Sequence, residues 1–544
     1  MFERTARKTY SAAHSSPTQE SISFGTDLNR DPVYLAGEVL SSTAFAKAML
    51  VLGKVVRTQK PAQKDHSAYQ AWVSKEYMRI FEEREPNRSK EYTATVKKIM
   101  ELQTRRDQIF KVLGPIEKVL NAKKYDYFNW LLENDRQAWV ILDPIVSVQK
   151  DGTFFEAFSG DESIYARVFL PSDAIKSSEE PGLGTTNIDF SLLLEREFER
   201  VRSYRKMSLS VGMKSVDFQT NAASVQEEKI PLPETWVRGL VEVQSVLGLA
   251  PIKFEMSSDA LAEIIAKLES EKEKHGPRSL RFELIPNSPI KVVIEPWGHV
   301  FNDDWFTYGG ETVQSIKIWG RRRLSVLKDL LVDTEKVSVH FLGSGMPSFW
   351  TVEKDGVELT IGLSGWTSND WASKAKFSSF VPTANVKQEL ISEALDYVIK
   401  TGIVTTKEIS DKFNISVGDS AALLQKLCLQ GKLMFDPKRN FYRWRDLFPT
   451  LDLYKEDDSS REAKAGLQIY REGEIKKTGD EIKNGIRYLS GFVANKEKDL
   501  LPSLELDLDN RPKYAFCTCP FYNHNKLRQG PCRHMIALTL AGDN

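Results

Sequence analysis

Apolar residues recur every three or four positions in the early part of the chain. Segments 41–56, 67–84 and 89–113 each show this spacing, which places their apolar side chains on one face of an α-helix. Residues 1–30 are rich in Ser and Thr and show no such period. The pattern therefore predicts a flexible N-terminus over 1–30 and a mainly helical region over 31–135.

The spacing of apolar residues changes to two after residue 136. The runs 138–148, 153–158 and 164–170 alternate in this way, as strands do, and Asp151-Gly152 is a hairpin signal between the first two. Later in the region strand-like and helix-like runs are mixed, with no repeat at a fixed period. We therefore expect an α+β region over 136–380 that is rich in antiparallel strands.

Residues 385–448 carry three helical patterns followed by a β-hairpin pattern. The first helix is expected to end at Gly402, the second to begin at Thr405 or Thr406, and the third to span 416–429. Two β-rich runs then flank the turn sequence DPKRN. This order of elements looks like a winged helix, and winged helices bind DNA in some proteins and a protein partner in others.

A wing of this kind would place basic residues where a DNA phosphate could be contacted. Lys438 and Arg439 lie at its expected tip, and Arg443 follows behind it. The third helix is less suited to reading bases, because Lys426 is its only basic residue and Asp419 lies near its start. Any nucleic-acid contact is therefore expected to be non-specific and to use Lys426, Lys438, Arg439 and Arg443.

The overall charge adds no attraction to nucleic acid beyond such a patch. The 544 residues include 75 Lys and Arg and 75 Asp and Glu, so the formal net charge is zero. The longest apolar runs are broken by charges well before the roughly 20 residues that a membrane span needs, and the N-terminus lacks the apolar core of a signal peptide. Four cysteines are too few for a disulfide framework. We expect a protein of the reducing cytoplasm without membrane contact.

Three of the four cysteines occur with a histidine near the C-terminus. Cys517 and Cys519 follow a β-rich run, in which residues two apart point to the same side. Cys532 and His534 are also two apart, which within a helix would separate them by about 200°. Cys532 is therefore expected just before a helix, with His534 in the first turn of that helix.

Three thiolates and one imidazole form the ligand set of a closed, tetrahedral structural zinc site. His524, between the two pairs, is a spare candidate that we expect to be exposed. The alternative is that the four residues are unrelated, but paired spacing followed by an apolar helix favours a metal site. The sequence therefore predicts one structural Zn²⁺ held by Cys517, Cys519, Cys532 and His534.

The pattern CxC, a loop of twelve residues, and CxH followed by an apolar helix resembles the SWIM zinc finger. The resemblance spans residues 463–540, and the lead-in from Gly466 onward reads as strands, as in that family. It implies a zinc-binding SWIM domain over 460–544. Because SWIM fingers are associated with DNA or with protein binding, the resemblance does not decide between these two ligands.

Several phrases in the first 380 residues resemble a bacterial family in which a long N-terminal region precedes a C-terminal SWIM finger. They are FFEAFSGDESIYARV, GTTNIDFSLLL, IWGRRRLSVL and LGSGMPSFWTVEKDGVELTIGLSGWTSNDW. Genes of that family commonly lie beside genes for a MoxR-type AAA+ ATPase and a von Willebrand factor A protein. The resemblance implies such proteins as partners and assigns no catalytic residues.

Motifs of common enzyme chemistry are missing from the sequence. It contains no GxxxxGK[ST] phosphate loop, no HExxH and no GxSxG. The adjacent carboxylates Asp161-Glu162 and Asp303-Asp304 are expected on the solvated surface, as is the basic run 321–323. We therefore expect the chain not to be an enzyme.

The sequence leaves three functions to be weighed. The first is a non-enzymatic zinc-binding adaptor that binds a partner protein through its SWIM and winged-helix modules. The second is a DNA-binding protein that uses both modules, and the third is an enzyme of unrecognised type in residues 136–380. The neutral net charge favours the first over the second. The expected fold is multidomain α+β, with N-terminal helices and antiparallel sheets, a winged-helix-like module over 385–448 and a C-terminal zinc-binding SWIM domain.

Overall fold

The computed structural model describes residues 33–58 and 144–542, together with residues 101 and 104. The predictions for 1–30 and for helices over 67–84 and 89–113 fall outside the described residues, apart from residues 101 and 104, which are helical. Within the second stretch, the description leaves out residues 178, 188–191, 205, 212–214, 221–223, 229–233, 274–276, 333, 366–370, 372–376, 378–387, 446, 448–460, 495–498, 508–511 and 528.

The first part of the described chain contributes nine strands and three helices. The predicted helix over 41–56 is present, and the strand before it belongs to a sheet rather than to a helical region. The strands are β1 Leu35–Val39, β2 Ile145–Gln149, β3 Gly152–Phe158, β4 Ile164–Pro171, β5 Ile175–Ser177, β6 Gly184–Asn187, β7 Met207–Val211, β8 Ser215–Thr220 and β9 Ser224–Glu228. The helices are α1 Ser42–Val56, α2 Leu192–Arg200 and α3 Glu234–Leu247.

Residues 252–363 add eight strands and two helices. The strands are β10 Ile252–Ser257, β11 Leu280–Leu284, β12 Pro289–Ile294, β13 His299–Thr307, β14 Gln314–Ile318, β15 Lys336–Phe341, β16 Ser348–Lys354 and β17 Val357–Leu363. The helices are α4 Ser258–Ser270 and α5 Lys328–Leu331, the latter preceded by a 3₁₀ helix over Arg321–Leu327.

These strands form three antiparallel sheets. Their orders are β5-β1-β7-β8-β9, then β10-β15-β16-β17-β4-β3-β2-β6, then β13-β12-β11-β14. The eight-stranded sheet joins early and late strands through the pair β4–β17. Helix α1 contacts β3, β4 and β17, with the Phe45 and Phe155 ring centroids 5.4 Å apart. The antiparallel α+β architecture predicted from the period-two runs is confirmed in this region.

Two groups expected on the surface are buried instead. Asp303 is 2% exposed and accepts a hydrogen bond from the backbone N–H of Ser257 at 2.5 Å, whereas Asp304 is exposed, because neighbours on a strand face opposite sides. Arg321 is also 2% exposed and donates to the carbonyl of Ser279 at 2.7 Å. Its guanidinium lies 5.4 Å from the ring centroid of Trp297. Both groups therefore join separate segments of the fold, and the prediction of solvated surface is wrong for them.

Residues 388–444 contain the three predicted helices and the predicted hairpin. Thr405 begins the second helix with a capping box, in which its hydroxyl accepts from the Glu408 N–H and the Glu408 carboxylate accepts from the Thr405 N–H. The elements are α6 Gln388–Thr401, β18 Ile403–Val404, α7 Thr406–Phe413, α8 Val417–Leu429, β19 Leu433–Asp436 and β20 Phe441–Trp444, with strand order β18-β20-β19.

The C-terminal part combines helices with a four-stranded antiparallel sheet, β21-β22-β23-β24. Its elements are α9 Arg461–Arg471, β21 Ile475–Lys483, β22 Ile486–Val493, β23 Ser503–Leu506, β24 Pro512–Phe516, α10 Pro520–Asn525 and α11 Arg533–Gly542. The expectation of strands from Gly466 onward is wrong for residues 466–471, which are helical because α9 packs along α11. No helix in the described part of the chain is both long enough and apolar enough to cross a bilayer.

Candidate metal centre

The end of β24 and the start of α10 position the first two cysteines. Cys517 follows the last residue of β24, and Cys519 is the N-cap of α10, with extended backbone angles of φ −69° and ψ 154°. Pro520 occupies the first helical position, where its missing N–H costs nothing and its fixed φ suits the helix. The Cys519 sulfur accepts a hydrogen bond from the Tyr522 N–H at 3.4 Å. The local sequence thus turns both sulfurs toward one point.

The start of α11 positions the other two residues. Gly530 has a φ of +80°, a left-handed conformation that turns the chain before Pro531. The Cys532 carbonyl accepts from the Ile536 N–H at 3.2 Å, so Cys532 lies at the beginning of the helix and His534 in its first turn. This is the placement predicted from the spacing.

The four side chains converge on one buried point. Each offers one ligand atom, and these atoms all lie within 4.8 Å of one another. The Cys517 Sγ and the His534 Nδ1 are 3.9 Å apart. Tetrahedral zinc with Zn–S of about 2.3 Å and Zn–N of about 2.0–2.1 Å would place its ligand atoms roughly 3.5–3.8 Å apart. A small contraction therefore brings Cys517, Cys519, Cys532 and His534 to the geometry of a zinc site, and the donor set fits this ion.

The three thiols strongly influence the pKa of one another. The pKa of Cys519 lies far below its usual range because the thiols of Cys517 and Cys532 donate hydrogen bonds to its sulfur. The same contacts raise the pKa of Cys517 to about 11 and hold the pKa of Cys532 well above its usual range. A divalent ion that binds all three sulfurs must displace the protons that the thiols still carry.

Surrounding contacts fix the elements that carry the ligands. Glu462 on α9 accepts hydrogen bonds from the backbone N–H of Arg533 at 3.0 Å and from its guanidinium at 2.6 Å, which ties α9 to the first turn of α11. The Lys526 ammonium lies 4.8 Å from the ring centroid of Tyr522. His524 is exposed on α10 and is not a member of the cluster. Sequence reasoning did not identify Glu462, which lies 71 positions from Arg533.

Three of the four residues predicted to contact nucleic acid form ion pairs with carboxylates of this chain, namely Lys438, Arg439 and Arg443. Lys438 donates to Glu353 at 2.6 Å and to Glu358 at 2.7 Å. Arg439 donates to Glu358 at 2.6 Å. These bonds join the β19–β20 turn to strands β16 and β17 of the eight-stranded sheet. Lys426 lies half-buried on α8.

Arg443 is fully buried in the same network. It donates to Asp436 at 2.6 Å and to Asp151 at 2.8 Å. Its guanidinium also lies 4.7 Å from the ring centroid of Phe154. Burial alone would raise the pKa of Asp436, but Arg443 and Arg167 outweigh it and hold this pKa far below its usual value. Sequence reasoning missed these partners because Asp151 precedes Arg443 by 292 positions.

The segment that contains all four metal-ligand residues matches a known protein family. Residues 504–543 match the SWIM zinc finger. No curated protein matches the sequence of the chain.

Structure comparison also matches part of the chain to solved structures, all at low sequence identity and low TM-score. They include the PCNA2–PCNA3 complex of Sulfolobus tokodaii, at 10% identity and a TM-score of 0.33, covering 44% of this chain and 94% of that one. Proliferating Cellular Nuclear Antigen of Entamoeba histolytica shows 11% identity and a TM-score of 0.31, with 41% and 89% covered. PCNA of A. fulgidus, bound to the C-terminal region of FEN-1, shows 13% identity and a TM-score of 0.31, with 42% and 91% covered.

Proposed function

We propose that the chain is a non-enzymatic zinc-binding adaptor that binds a partner protein through its C-terminal SWIM domain and the winged-helix-like module of residues 388–444. The observation that carries the proposal is the buried set of four protein ligands, three sulfurs and one imidazole. Such a set fills the tetrahedral positions of zinc and leaves none for a water or a substrate. The ion would therefore organise a surface rather than catalyse a reaction.

The position of the cluster in the fold supports a structural role for the ion. Cys517 and Cys519 lie at the end of the sheet, and Cys532 and His534 lie at the start of α11. One bound ion would join these two elements, which α10 separates along the chain. The domain would then present a sheet and a helix in fixed relation to a partner, which is what a recognition module requires.

The partner that we propose is a MoxR-type AAA+ ATPase, together with a von Willebrand factor A protein. The sequence phrases that resemble the bacterial family support this partner, since genes for these proteins accompany that family. In such a system the ATPase would supply energy transduction, and this chain would supply contacts.

Internal pairing of the hairpin charges favours the adaptor over DNA binding. Three of the four basic residues that DNA binding would use, Lys438, Arg439 and Arg443, already contact carboxylates of this chain. A phosphate would have to displace these carboxylates. The alternative is a DNA-binding protein that uses the winged-helix-like module and the SWIM finger, with Lys426 as the predicted contact outside this network. Duplex DNA affinity that falls steeply with salt and is reduced in Lys426→Ala would support that alternative.

Co-purification from the native host, with and without nuclease, tests the proposal. We expect the tagged chain to retain a protein partner after nuclease treatment, and the His534→Ala variant to lose it together with zinc. His524→Ala, which alters an exposed histidine on the neighbouring helix, is the matched control and should retain the partner. A partner that disappears on nuclease treatment of the wild type would instead favour the DNA-binding alternative.

A further inference from the structure

The C-terminal sheet has one covered face and one open face. Leu489, Leu504 and Ala515 are paired in register on neighbouring strands, and all three are buried on the side where α11 contacts the sheet. Residues next to them on each strand point the other way. The opposite face is therefore formed by the alternate residues of β22, β23 and β24.

Exposed aromatic side chains are concentrated on this open face. Within the described ranges, the aromatic residues classed as exposed are Tyr204, Trp305, Tyr488, Tyr514 and Phe516. Three of these five lie on the open face, where Tyr514 is 52% exposed, Tyr488 39% and Phe516 36%. Burial of large aromatic side chains is strongly favourable in recognition, so a cluster of exposed ones marks a binding surface.

One row across this face places a carboxylate between two tyrosines. Tyr488 pairs in register with Glu505, and Glu505 pairs with Tyr514. Cross-strand partners have Cβ atoms about 4.5–5.5 Å apart, so the two tyrosines begin about 10 Å apart with the carboxylate between them. The described residues provide no hydrogen bond or ion pair to the Glu505 side chain. Glu481, which continues the row, pairs with Lys483 at 2.5 Å.

We infer that the Tyr488–Glu505–Tyr514 row binds an arginine side chain of the partner protein. A guanidinium is planar and cationic, so it stacks on aromatic rings and donates two parallel hydrogen bonds to a carboxylate. Two rings that flank one carboxylate match this group in shape and charge. The inference rests on the proposed function and specifies the chemistry of the partner.

The arrangement favours a basic protein segment over single-stranded nucleic acid. Bases would stack on the same rings, but the central Glu505 would repel the phosphate backbone that follows them. An extended peptide has side chains at alternate positions on one side, so an arginine reaches the row while its neighbours contact the sheet. Phe516, whose ring centroid lies 5.4 Å from that of Tyr522, continues the apolar surface beside the row.

A direct binding assay tests the inference with defined probes. The zinc-loaded full chain is titrated into fluorescein-labelled Ser-Arg-Ser-Arg-Ser-Arg-Ser, with lysine and glutamate versions and oligothymidylate as comparison probes. We expect saturable binding of the arginine peptide, weaker binding of the lysine peptide, and none of the glutamate peptide. Glu505→Gln and Tyr514→Ala should each lower the affinity about tenfold or more. Tyr204→Ala, which removes an exposed ring elsewhere, should bind as the wild type does.

Zinc content and co-purification separate a failed inference from a failed function. Each variant must carry as much zinc as the wild type, which shows that the domain is intact. Equal affinity of the wild type and Glu505→Gln, equal binding of the arginine and lysine peptides, or oligothymidylate binding that depends on Tyr514 would overturn the inference. If Glu505→Gln then still retains the partner from the host, the proposed function stands without this site. If the wild type retains no partner, the proposed function fails irrespective of the peptide result.

Discussion

At the scale of single residues, burial separates two histidines of the C-terminal domain. His534 is 8% exposed and its Nδ1 faces the Cys517 sulfur, whereas His524 is exposed on α10. Of the two histidines, only the buried His534 belongs to the cluster of metal-ligand residues. Spacing alone identified the correct histidine, because only His534 is two residues from a cysteine.

Metal analysis of two variants tests this assignment. We expect the purified wild type to contain one zinc per chain, His524→Ala to contain the same amount, and His534→Ala to have lost most of it. Loss of zinc should also unfold the C-terminal domain locally, because structural zinc contributes directly to folding. Inductively coupled plasma mass spectrometry and hydrogen exchange over 461–542 measure the two effects. Full zinc content in His534→Ala would contradict the assignment.

His340 on β15 is a buried titratable group among charges from three other elements. Burial, together with Lys253 on β10, lowers the pKa of His340 to about 4 from its usual 6.5. Asp436, Arg167 and Lys438 also act on it, and only Asp436 favours its charged form. The folded protein therefore resists protonation of this ring. Between about pH 6.5 and pH 4 the unfolded chain binds more protons than the folded one, so stability falls as the pH falls through this window.

Urea unfolding at two pH values measures this effect. From about pH 7 to about pH 5, His340 should cost the wild type about 2 kcal/mol of stability. The glutamine in His340→Gln cannot be protonated, so this variant should lose about 2 kcal/mol less stability than the wild type over the same pH interval. The substitution leaves the four metal-ligand residues unchanged in both proteins. Carboxylates with a lowered pKa, such as Glu358, stop contributing to folding stability only below about pH 4.5, so they do not affect this comparison. An identical pH dependence in both proteins would contradict a buried neutral His340.

At the scale of elements, a glycine decides how closely two helices pack. A Cβ at Gly466 on α9 would lie 2.8 Å from the Arg533 carbonyl oxygen and 2.8 Å from the Ile536 Cβ of α11. The close contact between α9 and α11 is therefore possible only because residue 466 is a glycine, which has no side chain. The segment that looked like a strand in the sequence is helical because this close packing stabilises it.

Gly466→Ala should destabilise the C-terminal domain even though alanine favours helices. Alanine adds about 1 kcal/mol of helix propensity, but the clash with the α11 backbone should cost about 1–3 kcal/mol and displace the helix that carries His534. Denaturant-induced zinc release measures the difference. Gly309→Ala is the control, since a Cβ there meets nothing within 4 Å. Higher stability of the C-terminal domain in Gly466→Ala would show that α9 and α11 leave room for a Cβ between them.

At the scale of the whole molecule, buried charges join the module of residues 388–444, together with the adjoining Arg445, to the eight-stranded sheet. Arg445 and Glu156 are both fully buried and form an ion pair, and Tyr165 donates to the same carboxylate at 2.5 Å. Arg443 and Lys438 make parallel connections to the sheet. Since each charge depends on a partner from another segment, removal of one leaves its partner unpaired in the interior.

Arg445→Met should loosen this module by about 3–5 kcal/mol, because Glu156 would remain buried without its ion pair. The double variant with Glu156→Gln should recover part of the loss, since no unpaired charge remains. Hydrogen exchange and limited proteolysis over 388–444 measure both effects. Equal protection of the wild type and Arg445→Met would mean that apolar contacts alone hold the module in place.

The purified chain should hydrolyse no ATP. A phosphate loop connects a strand to a helix and ends in Lys-Ser/Thr. The two glycine-rich phrases do not have this arrangement, because GLGTT runs into β6 and GSGMP forms the turn between β15 and β16. A phosphate-release assay measures the rate. ATP turnover by the chain free of other proteins, lost on mutation of a residue within 1–380, would overturn the adaptor proposal.

The sequence by itself determined the features that depend on neighbouring residues. The paired spacing of Cys517, Cys519, Cys532 and His534, with a strand before and a helix after, sufficed to predict the metal cluster. The Thr405 cap and the helices of residues 388–429 were predictable for the same reason, because caps and apolar periodicity act within a few residues.

Only the tertiary structure decided which distant groups meet. The basic residues of the β19–β20 turn looked free for phosphate, but a carboxylate 80 positions from Lys438 and 81 from Arg439 reaches both of them. Asp303 and Arg321 are buried for a similar reason, and the tyrosines that flank Glu505 are brought together by strand register. Periodicity shows which face of an element is apolar, but not which charge from another element will lie against it. That pairing depends on chain topology, since burial of a charge is tolerated only where a partner arrives.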